Sequence, residues 1–337
     1  MADPVPDRSS RTGARSERGA ALLTVLLLVA VMAVVSAAAL ERLTLATRLS
    51  ANAAAMDQAH AYADSAGLLV ARRLGDLIKA QPGKVTLQGG WLGQPQPLPV
   101  PSGIATVTLR DGGNCFNLNS LVAGQAGNNL KQRPVAITQF AALMQLLGID
   151  GGQAQGIAVA AADWIDSDPV PAQGGAEDET YMRATPAYRA ANRMMASPSE
   201  LRAVAGVTPA IYNLLRPWIC ALPTTDLSPL NVNTLLPQQA PLFAMLVPGK
   251  LSVDMARTMI AQRPENGYGS TVSFWNAPAL RGLTPPAQVA QQVRLTTRWF
   301  TAEMNVDLGG TRMRQWALYD TETQPAKLVR RSWGDQG

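Results

Sequence analysis

The feature that most constrains this chain is a run of 21 residues, Ala20 to Leu40, without one charged side chain. As a helix it would rise about 30 Å, enough to cross the hydrocarbon core of a bilayer. Just before it stands a polar leader in which Arg8, Arg11, Arg15 and Arg18 outnumber Asp3, Asp7 and Glu17. Positive charge on the N-terminal flank keeps that end in the cytoplasm, so everything after Leu40 is placed across the membrane. Gly19 sits at the polar–apolar border itself, ahead of the run and not behind it. Two simpler readings stand beside this one. A secretory signal peptide would use Ala37, Ala38 and Ala39 as its cleavage site, and a plain anchor would not be cut at all.

The pattern downstream favours continuity over removal. Leu49, Ala53, Met56, His60, Ala63, Gly67, Val70, Leu74 and Leu77 alternate steps of four and three, the stripe of a helix that continues past the membrane. No proline occurs from Ala20 to Gln81, and Pro82-Gly83 closes the segment. A helix over 20–81, with 20–40 in lipid, would be roughly 90 Å long. Its second half would pack on a globular head. The 337 residues, 47% of them hydrophobic, suffice for such a head. The net charge of +5 is not gathered into a patch beyond the leader and the tail residues Lys327, Arg330 and Arg331, so it is no nucleic-acid footprint. Cys115 and Cys220 make an even pair in a head placed outside the cytoplasm, where a disulfide is permitted; two separate buried thiols are the alternative.

Past the helix the pattern changes twice. Lys84 to Leu87 and Ile104 to Leu109 read as strands, and 294–320 reads as a hairpin in which Phe300, Ala302, Met304, Val306 and Leu308 alternate with polar neighbours. Between them, 116–293 is rich in Ala, Leu, Gln and Met with helical spacing. The expected fold is therefore α+β: a long helix on an antiparallel sheet formed by 82–115 and 294–320, an all-helical insertion over 116–293, and a tail over 321–337. The insertion repeats itself. Asn117-Leu118-Asn119-Ser120-Leu121 returns as Asn231-Val232-Asn233-Thr234-Leu235, each followed by two helix-like stretches around a glycine turn. Asparagine ahead of a helix caps free N–H groups, so the motif first of all marks a helix start. Two such units resemble SAM-like or helix-hairpin-helix modules.

Helix-hairpin-helix modules raise DNA binding as a rival function. Its turns here are Gly148-Ile149-Asp150-Gly151, with a carboxylate where phosphate would sit, and Gly249-Lys250-Leu251, without a second glycine. Phosphate contacts supply most of the affinity for nucleic acid and require cations around such a turn, which disfavours DNA binding here. An enzyme is disfavoured too. The single histidine, His60, lies on the helix stripe, no G-x-S-x-G elbow occurs, and Ala244 stands where the first glycine of a P-loop before Gly249-Lys250 belongs. One cluster remains. Asp163, Asp166, Asp168, Glu177, Asp178 and Glu179 crowd into a segment bent by Pro169, Pro171, Gly174 and Gly175. Asp166, Asp168 and Glu177 take the first, third and twelfth places of an EF-hand count, but Pro171 occupies the sixth, where glycine is required. The choice is between a hard-cation site, with Asp163, Asp166, Asp168, Glu177 and Asp178 as ligands and calcium as the ion, and a solvated acidic loop.

Taken together, the Gly19-Ala20 junction, the long helix, the split sheet, the paired N-x-N-[ST]-L motifs and Asp163-Trp164-Ile165-Asp166-Ser167-Asp168 with Gly175-Ala176-Glu177-Asp178 resemble the type II secretion system protein K family, the large minor pseudopilins. The resemblance extends over about 15–320. It implies a prepilin leader, 1–19, cut between Gly19 and Ala20 by the prepilin peptidase, with methylation of the new N-terminus. It implies a protein held in the inner membrane with a periplasmic head, joined to minor pseudopilins I and J at the tip of a pseudopilus. It also implies calcium in the insertion. The fifth residue of the mature chain would be Thr24, as is usual in that family, where most pilins carry glutamate. A DNA-binding protein of an uptake system and a simple anchored scaffold are the readings it competes with.

Overall fold

The computed structural model describes residues 13–125, 128–308 and 310–334, so Arg8 and Arg11 of the leader lie outside the described residues. Helix α1 runs unbroken from Gly13 to Ala80, through the Gly19–Ala20 junction, and begins earlier than the apolar run alone implied. Pro82 cannot continue it, and Gly83 turns the chain with a φ of 76°. From Leu22 to Leu49 the large apolar side chains of α1 stand exposed. Packing begins only at Ala59 and continues through Ala63, Ala66, Val70 and Leu74. The expected stripe therefore holds in its second half. Leu49 is exposed because it lies beyond the last contact of the sheet, Thr311 with Asn52, and Met56, although within that reach, is exposed too.

After α1 come β1 (Pro95–Leu98) and β2 (Ile104–Asp111). Lys84 to Leu87, expected as a strand, is a looped segment instead: Gln81 Oε1 accepts from the Thr86 N–H and hydroxyl, and Gly89 and Gly90 both take positive φ. The insertion then opens with β3 (Phe116–Asn117), a short 3-10 turn over Leu118–Leu121, and the β4 (Val122–Gln125) and β5 (Asn128–Gln132) pair. Its helices are α2 (Pro134–Leu146), α3 (Gly151–Asp163), α4 (Asp178–Tyr181) and α5 (Pro209–Leu215), followed by β6 (Ile219–Cys220) and β7 (Leu230–Asn231). The rest is α6 (Ala240–Ala244), α7 (Val253–Ala261), α8 (Thr271–Trp275), α9 (Ala287–Ala290) and β8 (Val293–Arg294). So helix is the main regular structure of the insertion but makes up less than half of it, and the all-helical expectation does not hold. Two-residue strands pair in parallel, β3 with β6 and β7 with β8, and close each half.

The chain returns as β9 (Trp299–Leu308), β10 (Thr311–Asp320) and β11 (Lys327–Trp333), giving an antiparallel sheet of order β1-β2-β9-β10-β11. β11 lies in the segment read from sequence as a tail. The strict alternation of β9 puts Phe300, Ala302, Met304, Val306 and Leu308 against α1, where they join Val70, Leu74, Ala63 and Ala59 in two apolar clusters. Each fully buried Val or Leu there contributes about 1.5–3 kcal/mol. At Gly67 the helix comes so near β10 that Tyr319 Oη donates to the Gly67 carbonyl at 3.1 Å.

Candidate metal centre and its scaffold

Each half of the insertion is built around its two asparagines. The Asn117 carboxamide accepts from the Asn119 N–H, capping the 3-10 turn, and from the Leu222 N–H at 3.0 Å. Asn119 does something else. Its oxygen accepts from the Met195 N–H at 2.7 Å while its nitrogen donates to the Met195 carbonyl at 3.0 Å, a two-point clamp on the backbone of one distant residue. In the second half Asn231 accepts from the Asn233 N–H, and Asn233 clamps Tyr268 in the same way, at 2.7 and 3.1 Å. Ser120, at the fourth place of the first motif, donates back to the Asn117 carbonyl, whereas its counterpart Thr234 gives its one hydroxyl hydrogen to Asp111. All four asparagines are buried, and their partners lie on other elements. Sequence reasoning saw the caps and missed the clamps, because nothing local announces a partner 76 residues away.

Cys115 and Cys220 form a disulfide, with a Cα–Cα distance of 5.8 Å, across the β3·β6 pair. It closes a loop that contains the acidic segment. Within that segment the structure sorts the carboxylates. Asp163, Asp166 and Glu177 are buried, and Asp168 and Asp178 are not. Asp163 ends α3 and is saturated with donors: Gln132 Nε2, the Ala172 N–H and the Ala176 N–H, the last at 2.7 Å. Gly175 is what admits this contact, because a Cβ there would stand 1.9 Å from an Asp163 oxygen. Gln132 also donates to Asp166 Oδ2 at 3.0 Å, so one carboxamide ties the two aspartates together. The sequence held no signal for Gln132, which lies on β5. Asp168 accepts from the Val170 N–H and Asp178 from the Ala190 N–H, so both organise the loop from its outside.

What remains is a set of oxygens with nothing to accept. Asp166 Oδ1 and both Glu177 carboxylate oxygens are buried without a hydrogen-bond partner among the described residues. Burial first, and then the neighbouring carboxylates, push Asp166 up to about 6 and Glu177 up to about 7; Asp166 is the strongest charged neighbour of Glu177. Burial also raises Asp163, against the donors that lower it. Orphaned, mutually repelling, oxygen-only ligands are the donor set of a hard cation, so Asp166 and Glu177 fit calcium, with Asp163 holding the frame. Among the described residues no three such groups already close on one point.

One helix thus serves two media, lipid-length and exposed over its first half, sheet-bound over its second, which is the division of labour of a membrane-anchored pilin-type subunit. Comparison with known proteins sharpens the class. The family models described as type II secretion system (T2SS), protein K match residues 114–224 and 230–298, that is, the two halves of the insertion. Type II secretion system protein K of Aeromonas hydrophila is 36% identical over 306 residues, covering 89% of this chain and 92% of that one. The Klebsiella pneumoniae protein K is 34% identical, covering 94% of this chain and 97% of its own. Among solved structures, the crystal structure of the GspK-GspI-GspJ complex from enterotoxigenic Escherichia coli aligns with a TM-score of 0.72 at 28% identity, over 83% of this chain and 96% of that chain. This chain belongs to the type II secretion system protein K family, and its role is that of a minor pseudopilin.

Proposed function

We infer that this subunit caps the tip of a secretion pseudopilus, as a structural component and not a catalyst. It is cut between Gly19 and Ala20 by the prepilin peptidase, methylated at the new terminus, and held in the inner membrane with its head in the periplasm. There it joins minor pseudopilins I and J, as the similar protein does in the solved GspK-GspI-GspJ complex. The observation that carries the tip position is Thr24, the fifth residue after the junction. Its hydroxyl is satisfied within its own helix, donating to the Ala21 carbonyl at 2.9 Å. A glutamate in that place would carry a charge into lipid and require a cationic neighbour. Threonine requires none, which suits a subunit with nothing above it. The bulk of the head, which would crowd a repeating shaft, points the same way.

The insertion on this reading is a duplicated pair of SAM-like modules, supported by the matched asparagine clamps. The first module carries calcium, held by Asp166 and Glu177, which supplies charge neutralisation and no chemistry. The test is mass spectrometry and cross-linking of the full chain from secreting cells. A mature chain starting at methylated Ala20, present in few copies and linked to I and J, is expected. A terminus after Ala39, or many copies spaced along a shaft, overturns the reading.

A further inference from the structure

The insertion leaves the sheet and returns to it at one place. Gly112 donates to the Trp299 carbonyl at 2.8 Å, and Asp111 accepts from Thr234 and Thr297, so the outgoing and incoming strands lie side by side. Two adjacent crossings define a hinge line. The angle of the insertion about it must be set by contacts elsewhere. For the second half these come from the loop after α1, where Lys84 Nζ donates to the Asn266 carbonyl at 2.8 Å and Gln88 to the Asn266 side chain. For the first half they come from Leu222, packed with Trp299 and Leu318 of the sheet, and from β11. Arg330 Nη1 donates to the carbonyls of Ala196 and Ala221, the latter at 3.1 Å. Ala196 follows the residue that Asn119 clamps, and Ala221 follows disulfide-bonded Cys220. Its guanidinium therefore grips the first half beside both the asparagine clamp and the disulfide.

A β-bulge aims it there. β11 pairs Leu328 with Tyr319 but Arg330 with Leu318, leaving Val329 as the extra residue. Tyr319 and Ala317 face α1, so in an unbulged strand Leu328 and Arg330 would both face the helix. The extra residue reverses the alternation. Arg330 then turns to the insertion, while Arg331 pairs with Asp64 of α1 and Trp333 stacks on His60 with ring centroids 4.4 Å apart.

We propose that β11 is the bracket that holds the first half of the insertion at a set angle to the membrane helix, with Arg330 as its positioning residue, and that export depends on that angle. The angular claim stands on geometry alone; its cellular readout rests on the secretion role. In the full chain in detergent, spin labels at Ser65→Cys with Asn213→Cys report on α1 against the first half. Labels at Ser65→Cys with Val272→Cys report on α1 against the second. Arg330→Gln should broaden the first distance distribution or add a second population to it, and leave the second distribution unchanged. Helix content should stay the same. Arg330→Lys, which keeps one donor to these carbonyls, should restore most of the order. In secreting cells Arg330→Gln should be processed and accumulate normally while export falls. Unaltered distances, equal broadening of both pairs, or unaltered export each overturn the proposal. So does loss of the fold in both Arg330→Gln and the apolar Arg330→Met, which would make the residue part of the core and not a positioning contact.

Discussion

Asp163, Asp166 and Glu177 share one bend of the chain and are treated differently by it. Asp163 has donors on both of its oxygens, whereas Asp166 and Glu177 have buried oxygens with none. The sign of the resulting pH dependence follows from the direction of the shifts. Asp166 rises from 3.8 to about 6 and Glu177 from 4.5 to about 7, so between pH 4 and 7 the folded chain binds more protons than the unfolded one. Stability contributed by this pair is therefore present in acid and lost as pH rises through that window. A cation competes with those protons and is bound best where they have left. The melting temperature without calcium should thus fall from pH 5 toward 8, and the increment produced by adding calcium should grow over the same range. Asp166→Asn with Glu177→Gln should abolish both effects. A calcium increment that is absent, or that shrinks toward pH 8, would show the segment to be only an acidic loop.

At the scale of elements, the asparagine clamps explain how short helices and two-residue strands hold together. Removing one carboxamide strands a buried N–H and a buried carbonyl at once, each costing about 1–3 kcal/mol. Asn119→Ala and Asn233→Ala should each lower the denaturation midpoint markedly, and Asn119→Asp should not rescue the first, since a carboxylate cannot donate to the Met195 carbonyl. Midpoints within error of wild type would mean that the clamps are incidental. Gly267 belongs to this device, because a Cβ on it would lie 2.8 Å from the Asn233 carboxamide. Much of this level was readable in the sequence. The 3.6-residue period located α2, α3 and α7, and the period of two located β9. What escaped was set by non-local partners. β11 (Lys327–Trp333) is exposed at six of its seven positions and its alternation is broken by a bulge, so a real edge strand reads as a polar tail. The strand expected at Lys84–Leu87 lost to a glycine-rich loop whose backbone is held by Gln81. Of the five acidic ligands expected, burial selected three, and no sequence rule weighs Asp168 against Asp166 when both precede the same loop.

For the whole molecule, the disulfide decides how the head comes apart. Cys115 and Cys220 are 105 residues apart in sequence, and between them lie the first asparagine clamp, α2, α3 and the entire acidic segment. Closing a loop of about 100 residues removes on the order of 4–5 kcal/mol of chain entropy from the unfolded state, with about 2–4 typical of measured bridges. That gain falls on the first half of the insertion alone. The second half has no bridge and is tied instead to the loop after α1 through Lys84 and Asn231, and the sheet has its own apolar core. Reduction, or Cys115→Ser with Cys220→Ser, should therefore split thermal unfolding into two steps. The first half should melt early, while the sheet, followed through Trp91 against Phe300, melts near its original temperature. Calcium should narrow the gap, because an ion bound at Asp166 and Glu177 restrains the same loop that the bridge closes. The measurement is a calorimetric scan of the full chain in detergent, oxidised and reduced, with and without calcium. One unchanged transition in all four samples would mean that the bridge only decorates a half already held by its core. A split that calcium does not narrow would separate the bridge from the acidic site and leave each to act alone.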